Sequence, residues 1–394
     1  MSTLISGSLP RSLRRERAEE VRTRERTWAH WAWLPVVSSI VLSVMGVLAI
    51  ATTEPVLAKR QAVFAVVGLL TSAAVGAQHV RWLQRAAWPL FIVNVFLLVF
   101  LLVPYIPEWL VRPRNGARRW INLGFTDFQP SEVMKLAYIL SMAVWLRSAP
   151  QIRRMWGVVA TLLVTAIPVV LIMRQPDLDT ALLFIPTLLA MLLAAGARVR
   201  HIVILVVLGL VLAPASYPFL KAHQKARVDA LIAQLSGSSR WKDTIGYQAD
   251  RAQTLAGAGG VFGMGSQEAT PLIRYNRLPE ASNDMIFSVI SCRWGLLGGV
   301  LVWVAGLAYS VGCFMVALRA GSGFGRLVAV GIGSMFFAQL ALNTGMTIGV
   351  LPVSGMTLPF VSAGGSSLVS LWVGTGVLFS IASRRTRGFD LAHS

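Results

Sequence analysis

The stretch PLIRYNRLPEASNDMIFSVISCRWGLLGG, residues 271–299, passes from a long polar segment into an apolar run that continues to about residue 318. An apolar run of this length predicts a helix that crosses a membrane. Asn283 and Asp284 stand where the polarity changes, so the Asp284 carboxylate is expected at the boundary between water and lipid. A carboxylate at that depth can reach a substrate whose head is in water and whose tail is in the bilayer.

Composition supports a membrane protein. The 394 residues are 55% hydrophobic and only 13% charged, which is typical of a chain with many membrane spans. The net charge of +19 suggests nucleic acid as a possible ligand, but most basic residues lie outside the apolar runs, in the tails, loops and connectors. Membrane topology explains that placement better, and we predict no nucleic-acid partner. Cys292 and Cys313 are predicted on one helix, too far apart to form a disulfide.

Hydropathy predicts an all-α polytopic membrane protein with about ten transmembrane helices and one long extracytoplasmic loop. The predicted spans are 31–51, 61–77, 86–106, 131–147, 155–173, 178–196, 200–215, 285–318, 324–351 and 365–383. The predicted domains are a polar basic cytoplasmic tail (1–28), a membrane domain (29–384) that contains the extracytoplasmic loop 216–284, and a cytoplasmic tail (385–394).

Basic residues in the connectors set the predicted orientation. The connectors 78–85, 147–154, 197–201 and 319–326 carry Lys or Arg and no acidic residue. The positive-inside rule therefore places these connectors, together with both termini, in the cytoplasm.

Two loops on the predicted outer side carry candidate binding features. Segment 107–130 contains the four arginines Arg112, Arg114, Arg118 and Arg119, which either attract lipid phosphates at the surface or bind a diphosphate. The second loop contains GAGGVFGMG, residues 257–265, where a phenylalanine replaces the third glycine of a dinucleotide-binding motif. We therefore predict no organic cofactor, and we favour a turn at these glycines that is either flexible or allows close backbone approach.

Ionisable residues near the spans are further candidates, because each is costly in a membrane. Glu132 and Lys135 share a helix face at the start of the fourth span, and they form either a neutral ion pair or a site where the lysine meets a phosphate. Asp177 and Asp179 open the sixth span, where helix capping explains one of them. The pair can also orient Lys135 or Arg118, or bind a divalent cation, and we favour a structural role or one that orients neighbouring site residues.

Two features deeper in the chain also predict polar surroundings. Arg293 lies within the eighth span, where a lone arginine is expected to pair with a carboxylate or face a polar cavity. The segment GMTIGVLPVSGMTLPFVSAGGSSL, residues 345–368, is rich in proline and glycine and predicts a re-entrant or tightly turned backbone against a cavity.

Several of these stretches, taken together and in order, match a known family. They are NGARRWINLGFTDFQPSEVMKLA (115–137), QPDLDTALL (175–183), IGYQADRAQTLAGAGGVFGMG (245–265), LPEASNDMIFSVI (278–290), WGLLGG (294–299) and GVLPVSGMTLPFVSAGGSSL (349–368). The chain resembles the SEDS family (shape, elongation, division and sporulation), the family of RodA and FtsW. The phrase GMTIGVLPVSG, residues 345–355, favours the RodA side of that family.

The resemblance implies a peptidoglycan glycosyltransferase of the bacterial inner (cytoplasmic) membrane. Such an inverting enzyme polymerises lipid II, a disaccharide-peptide on undecaprenyl diphosphate. For this chain, the RodA-like phrase favours a role in cell-wall elongation over one in division. The resemblance further implies a class B penicillin-binding protein and membrane lipids as partners, and Mg²⁺ or Mn²⁺ as a possible metal.

The resemblance also implies site residues by position. Asp284 falls on the family's essential aspartate. The residues predicted to bind the diphosphate and sugar are Arg118, Lys135, Glu132, Gln129, Glu280, Ser366 and Ser367. Asp177 and Asp179 are predicted to support them or to hold a cation.

The chain departs from the family pattern at several positions near these motifs. Ser282 stands in place of the usual histidine, Cys292 and Arg293 in place of two glutamates, Asp179 in place of glycine, and Ala363 in place of tyrosine. The Cys292-Arg293 replacement inverts the charge that the family carries there.

Two other function classes stay open at this point. Buried charges and broken helices also suit a transporter that flips lipid-linked precursors. A catalytically inactive scaffold for a penicillin-binding protein is the third class, because of the Cys292-Arg293 replacement. Replacement of Asp284 by asparagine separates them, since it abolishes an enzyme and leaves a scaffold intact.

Overall fold

The computed structural model describes residues 11–383, apart from 112, 114–116, 125, 216, 220–221 and 236–245. The predicted tail 385–394 and the arginines at 112 and 114 lie outside the described residues. The described chain is helical, with one antiparallel pair of short strands.

The helices and strands, in chain order, are α1 (Arg11–Thr53), α2 (Pro55–Ala77), α3 (Val80–Leu102), β1 (Ile121–Asn122), β2 (Asp127–Phe128), α4 (Pro130–Arg147), α5 (Met155–Arg174), α6 (Leu178–Ala194), α7 (Val199–Ala215), α8 (Ala222–Leu235), α9 (Tyr247–Ala258), α10 (Gly265–Asn276), α11 (Ile286–Arg319), α12 (Gly323–Thr347) and α13 (Gly365–Ser383).

Each of the ten predicted spans corresponds to a helix. Seven of the described helices are long and apolar enough to cross a membrane: α1 from Trp31, α2, α3, α5, α11, α12 and α13. Helices α6 and α7 are apolar but shorter. Helix α4 has 18 residues and carries three charged residues, Glu132, Lys135 and Arg147. The prediction of an all-helical polytopic membrane protein is confirmed.

The predicted boundaries of three spans were wrong by several residues. Helix α12 ends at Thr347 rather than at 351, because Gly349 adopts a positive φ of 82° that ends the helix. Helix α2 begins at Pro55 rather than at 61, because proline fits the first turn and the basic residues Lys59 and Arg60 continue the helix. Helix α3 spans Val80–Leu102 rather than 86–106, since Pro104 disfavours helical backbone at the residue before it.

The core of the bundle is built by close helix packing. Helix α2 packs on α13, and α11 packs on both α1 and α12. Aromatic rings fill the space between α11, α12 and α13: Tyr309 lies 4.1 Å from Phe336 and 5.5 Å from Phe360, and Phe360 lies 5.6 Å from Trp372, measured between ring centroids. These four side chains are almost wholly buried and join three helices into one core.

Helix α11 is broken at Gly295, where the backbone has φ 65° and ψ −159°. The glycine-rich segment after α9 docks on this break. The N–H of Leu296 donates to Gly260 O at 2.9 Å, and the N–H of Met264 donates to Cys292 O at 3.0 Å. The segment therefore satisfies backbone groups that the break leaves without helical partners.

Only glycine permits this contact. A Cβ atom at Gly263 would overlap the Arg293 carbonyl, and a Cβ atom at Gly295 would overlap Gly263 N and Val261 O. Both residues also have positive φ. The prediction of close backbone approach at residues 257–265 is confirmed.

Candidate active site

A cavity of about 1360 Å³ opens at one end of the bundle. It lies where α2, α4, α6 and α13 begin and where α12 ends. Its walls also include β2 and the irregular segment between α12 and α13. The charged residues that line it are Arg60, Arg119, Asp127, Glu132, Lys135, Asp177, Asp179, Glu280 and Asp284. The prediction that segment 345–368 turns against a cavity is confirmed.

The structure brings nearly all the predicted site residues together. Those that line the cavity are Gln129, Glu132, Lys135, Asp177, Asp179, Glu280, Asp284, Ser366 and Ser367. They come from four separate parts of the chain, so their convergence is a property of the fold. Their predicted roles stay predictions.

Arg118 is the exception. Its guanidinium donates to the carbonyl oxygens of Val103 at 3.0 Å and Pro104 at 2.6 Å, and the residue does not line the cavity. The neighbouring Arg119 lines the cavity instead. Adjacent residues in an extended segment point to opposite sides, so a shift of one position exchanges the two side chains. The structure therefore places Arg119 rather than Arg118 in the cavity wall with the other predicted site residues, and the predicted substrate-binding role of Arg118 stays a prediction.

Arg119 is held at the start of α6. Its Nε donates to Gln175 O at 3.0 Å, its Nη2 donates to Pro176 O, and its Nη1 lies 3.6 Å from Asp177 Oδ1. These contacts fix the guanidinium over the turn that leads into α6. The predicted partner of the Asp177 side chain was Lys135 or Arg118, and the structure supplies Arg119.

Asp177 caps α6, as one of the two open interpretations predicted. Its carboxylate accepts from the Thr180 N–H at 3.3 Å and from the Thr180 hydroxyl at 3.0 Å. Burial raises the pKa of the Asp177 carboxyl above its usual range, and the positive charge of Arg119 opposes that shift. The side chain is therefore committed to local structure and to Arg119.

Asp179 reaches across the cavity. Its Oδ2 accepts from the Gly355 N–H at 2.7 Å, which ties α6 to the segment between α12 and α13. A Cβ atom placed on Gly355 would lie 3.3 Å from this oxygen and 3.5 Å from Asp284 Oδ2. The two carboxylate oxygens are therefore no farther apart than the sum of these distances.

Lys135 and Glu132 form the predicted ion pair, with 2.9 Å between Lys135 Nζ and Glu132 Oε2. Both side chains are buried. The contact does not have hydrogen-bond geometry, and Glu132 Oε2 accepts no hydrogen bond from the described residues. Lys135 Nζ instead donates to Gln339 Oε1 at 3.3 Å. An ammonium group has three protons, so this arrangement leaves capacity for a further acceptor.

Asp284 is half-buried and lies two residues before the start of α11, whose N-cap is Met285. Its carbonyl oxygen accepts from Asn343 Nδ2 at 2.8 Å. The preceding turn is stabilised by Glu280, whose Oε2 accepts from Asn283 Nδ2 at 2.6 Å. The turn presents the Asp284 side chain to the cavity at the end of the apolar helix.

The predicted polar residues at the start of α4 and α13 support the cavity wall. The Gln129 N–H donates to Ser366 Oγ at 3.3 Å, and the Ser366 hydroxyl donates to Asp127 O at 2.9 Å. Gln129 Nε2 donates to Ser131 Oγ at 3.0 Å. Ser366 thus joins α13 to β2, while Ser367 lies beside it on the cavity wall.

Arg293 lies outside the cavity. Its Nη1 donates to Leu48 O at 2.5 Å and to Thr52 Oγ1 at 2.7 Å, both on α1, and its guanidinium carbon lies 4.4 Å from the centre of the Trp294 ring. The partner of this arginine is helix backbone and a hydroxyl, and the expectation of a carboxylate or a cavity was wrong. The Cys292-Arg293 departure from the family pattern therefore falls at a contact between helices.

Sequence reasoning missed several residues that shape the cavity. Arg60, Asp127 and Gln339 line it, and Asn343 lies buried beside it. Gln339 and Asn343 left a signal, because two amides four positions apart inside a predicted span share one helix face. Arg60 left none, since it was assigned to a connector.

The fold and the cavity define a polytopic helical membrane protein with a charged site at one end of its bundle. The chain belongs to the FtsW, RodA and SpoVE family of cell cycle proteins, whose profile matches residues 22–387. These are the proteins called SEDS above.

Individual relatives agree with this assignment. The chain is 34% identical to stage V sporulation protein E of Bacillus subtilis over 333 residues, which cover 82% of this chain and 86% of the relative. It is 30% identical to peptidoglycan glycosyltransferase MrdB of Helicobacter pylori (strain J99) over 367 residues, which cover 92% of each. These relatives carry the names of different branches, so they give no preference for the RodA side.

The fold is also similar to a solved structure. One chain of a peptidoglycan synthase complex, described as coordinating polymerization and crosslinking, matches with a TM-score of 0.77 and 29% identity. The match covers 90% of this chain and 98% of that one.

Proposed function

We propose that this protein is a peptidoglycan glycosyltransferase that polymerises lipid II into glycan strands. The observation that carries the proposal is the cavity itself. Asp284, beside the start of an apolar helix, lines it together with the basic residues Arg60, Arg119 and Lys135. The named activity of the relative MrdB supports the same reaction. A site that combines a carboxylate with cations at the end of the bundle suits a substrate with a sugar, a diphosphate and a lipid tail.

In this reaction Asp284 acts as the general base. The 4-hydroxyl oxygen of the acceptor sugar attacks the anomeric carbon of the lipid-linked donor, and the bond from that carbon to the diphosphate oxygen breaks. The diphosphate leaves with the electron pair, the hydroxyl proton passes to Asp284, and the anomeric configuration inverts. A positioned base contributes roughly 10²–10⁴-fold to such a reaction.

The leaving diphosphate requires positive charge rather than an acid. Arg119 lines the cavity from the segment before β1, and Lys135 lines it from α4. Preorganised cations of this kind stabilise charge that develops on a leaving group, and they do so most strongly where water is excluded. Glu132 and Asp177 balance these charges in the absence of substrate.

A divalent cation fits the same cavity. The described residues hold no group of three or more His, Cys, Asp or Glu side chains placed to bind a metal. Mg²⁺, however, is usually held by one or two carboxylates together with substrate phosphates, and Asp179 and Asp284 provide two carboxylates near Gly355. When bound, Mg²⁺ or Mn²⁺ would neutralise charge on the diphosphate.

The biological setting follows the family. We propose a bacterial cytoplasmic membrane, both termini in the cytoplasm, and a class B penicillin-binding protein as the partner that crosslinks the product. The phrase at residues 345–355 favours elongation over division. The relatives do not distinguish these roles.

Lipid II polymerisation by the purified protein with its class B partner tests the proposal, with wild type compared with Asp284→Asn. We expect wild type to produce glycan chains and Asp284→Asn to produce none, while both melt at the same temperature. Ser354→Ala, which removes a hydroxyl on the same wall, serves as a control for general disturbance of the cavity.

Other outcomes would support the competing classes. A wild type that is inactive with several partners and metals, but stimulates the partner's crosslinking, would indicate a scaffold. A wild type that moves labelled lipid II across liposomes without polymerising it would indicate a flippase.

A further inference from the structure

Helix α12 carries two buried amide side chains, Gln339 and Asn343, that are respectively 2% and 0% exposed. They lie four positions apart, so they occupy one face of the helix and are separated by about 6 Å along its axis. That face is directed at the cavity and at the segment between α12 and α13. Neither residue belongs to the acid and cation set of the proposed reaction.

Asn343 joins the candidate base to this segment. Its Nδ2 donates to the carbonyl oxygen of Asp284 at 2.8 Å and to the carbonyl oxygen of Met356 at 2.5 Å. One side chain therefore uses both amide protons to hold two irregular backbone segments together. The position of the Asp284 backbone, and hence of its carboxylate, depends on this amide.

Gln339 makes the equivalent connection for the candidate cation. Its Oε1 accepts from Lys135 Nζ at 3.3 Å. Its Nε2 donates to the carbonyl oxygen of Thr357 at 2.9 Å and to the Thr357 hydroxyl at 3.1 Å. Gln339 thus ties Lys135 to the residue that follows Met356.

These contacts form a closed arrangement. Asp284 and Lys135 are each bonded to an amide on the same helix, and the two amides are bonded to neighbouring residues of one segment. We propose that Gln339 and Asn343 are positioning residues that set the distance between the catalytic carboxylate and the ammonium group. This inference rests on the proposed glycosyltransferase function.

A purely structural role of the two amides would have different consequences for the variants. Buried carbonyl groups require donors, so the two amides could simply satisfy the segment after α12. Their loss would then lower stability and leave the turnover of folded protein unchanged. A role in positioning lowers kcat in protein that remains folded, because a displacement of about 1 Å between reacting groups can cost roughly 10²-fold in rate.

The test uses the full-length protein with its class B partner and lipid II. Asn343→Leu and Gln339→Met remove the amide hydrogen bonds at nearly constant volume. Gln339→Glu keeps an acceptor for Lys135 but cannot donate to Thr357. The matched control is Thr344→Val, which removes a buried hydrogen bond from the same turn of α12 to Leu340 O, within the helix.

We expect kcat to fall roughly tenfold or more in Asn343→Leu and in Gln339→Met, with KM changed by less than about threefold. The kcat of Gln339→Glu should lie between the values of Gln339→Met and wild type. Thr344→Val should retain the wild-type kcat. If all variants share the kcat of wild type and differ only in melting temperature, the two amides are structural and the inference is overturned.

Hydrogen exchange separates this inference from the proposed function. Asn343→Leu should raise the rate of amide hydrogen exchange in the segment around Asp284 and in the segment around Met356, whether or not the protein polymerises lipid II. An inactive wild type would overturn the proposed function alone. Unchanged exchange in both segments of Asn343→Leu would overturn the positioning role, whatever the activity.

Discussion

The carboxylates of Asp179 and Asp284 both approach one residue of the cavity wall, Gly355. Asp179 Oδ2 accepts the Gly355 N–H at 2.7 Å, and a Cβ atom at Gly355 would stand 3.3 Å and 3.5 Å from the two carboxylates. The space over Gly355 is therefore bounded by two negative charges. A chain segment without a side chain at this point keeps that space open for a ligand.

Gly355→Ala should lower polymerisation while the fold is retained. The new methyl group fits with small shifts of the carboxylates, so we expect a loss of stability of about 1 kcal/mol or less. It occupies the space beside Asp284, so we expect kcat/KM to fall roughly tenfold. Gly374→Ala on α13, where a Cβ atom would meet Ile332 at 4.0 Å, is the control and should be fully active. Normal activity of Gly355→Ala would show that the substrate does not use this space.

Arg119 and Arg118 should differ in their effect on substrate binding. Arg119→Gln removes a cation from the cavity, so we expect KM for lipid II to rise roughly tenfold, equivalent to about 1.4 kcal/mol. Arg118→Gln removes contacts to Val103 and Pro104, and its KM should stay within about twofold of wild type. Steady-state kinetics decide the matter, and the opposite ranking would restore Arg118 as the substrate-binding residue.

Replacement of Gly295 by alanine should destabilise the protein. The backbone at φ 65° and ψ −159° is almost confined to glycine, and strain of this kind costs on the order of 1–3 kcal/mol. The methyl group would also overlap backbone atoms of the docked segment. Thermal melting in detergent measures the loss.

The control for that variant is Gly257→Ala, because a Cβ atom there meets nothing within 4 Å and the residue is in α9. It should melt at or slightly above the wild-type temperature. Equal melting of Gly295→Ala and Gly257→Ala would mean that the break in α11 is not maintained in the membrane.

Arg293 and Thr52 should be energetically coupled. Their hydrogen bond of 2.7 Å links α11 to α1, so Arg293→Met and Thr52→Val should be non-additive by about 1 kcal/mol in a double-mutant cycle. Thr187→Val on α6, whose hydroxyl bonds within its own helix, should be additive with Arg293→Met. Turnover of folded Arg293→Met should be near wild type. A large loss of kcat would instead connect Arg293 to the reaction.

Metal removal should lower the rate. Two carboxylates and the substrate diphosphate form the kind of oxygen site that Mg²⁺ or Mn²⁺ prefers, so we expect EDTA to suppress polymerisation and added metal to restore it. Asp179→Asn keeps an acceptor for the Gly355 N–H but loses the charge, so it should require more metal for half-maximal rate. Equal metal dependence in wild type and Asp179→Asn would exclude Asp179 as a ligand.

The sequence by itself determined the class of fold and the members of most of the site. Burial of apolar runs in lipid is a local property, so hydropathy located ten helices, although the ends of α2, α3 and α12 were displaced. Polar residues at the ends of spans are costly without a purpose, and this singled out Lys135, Asp177 and Asp284.

Only the tertiary structure decided which of these groups meet. The choice of Arg119 over Arg118 depends on the path of an extended segment that no periodic pattern describes. The contact of Arg293 with α1 and the connections through Gln339 and Asn343 join residues far apart in the chain. Such contacts depend on the packing of helices against each other, and packing is set by the shapes of all the contacting surfaces together.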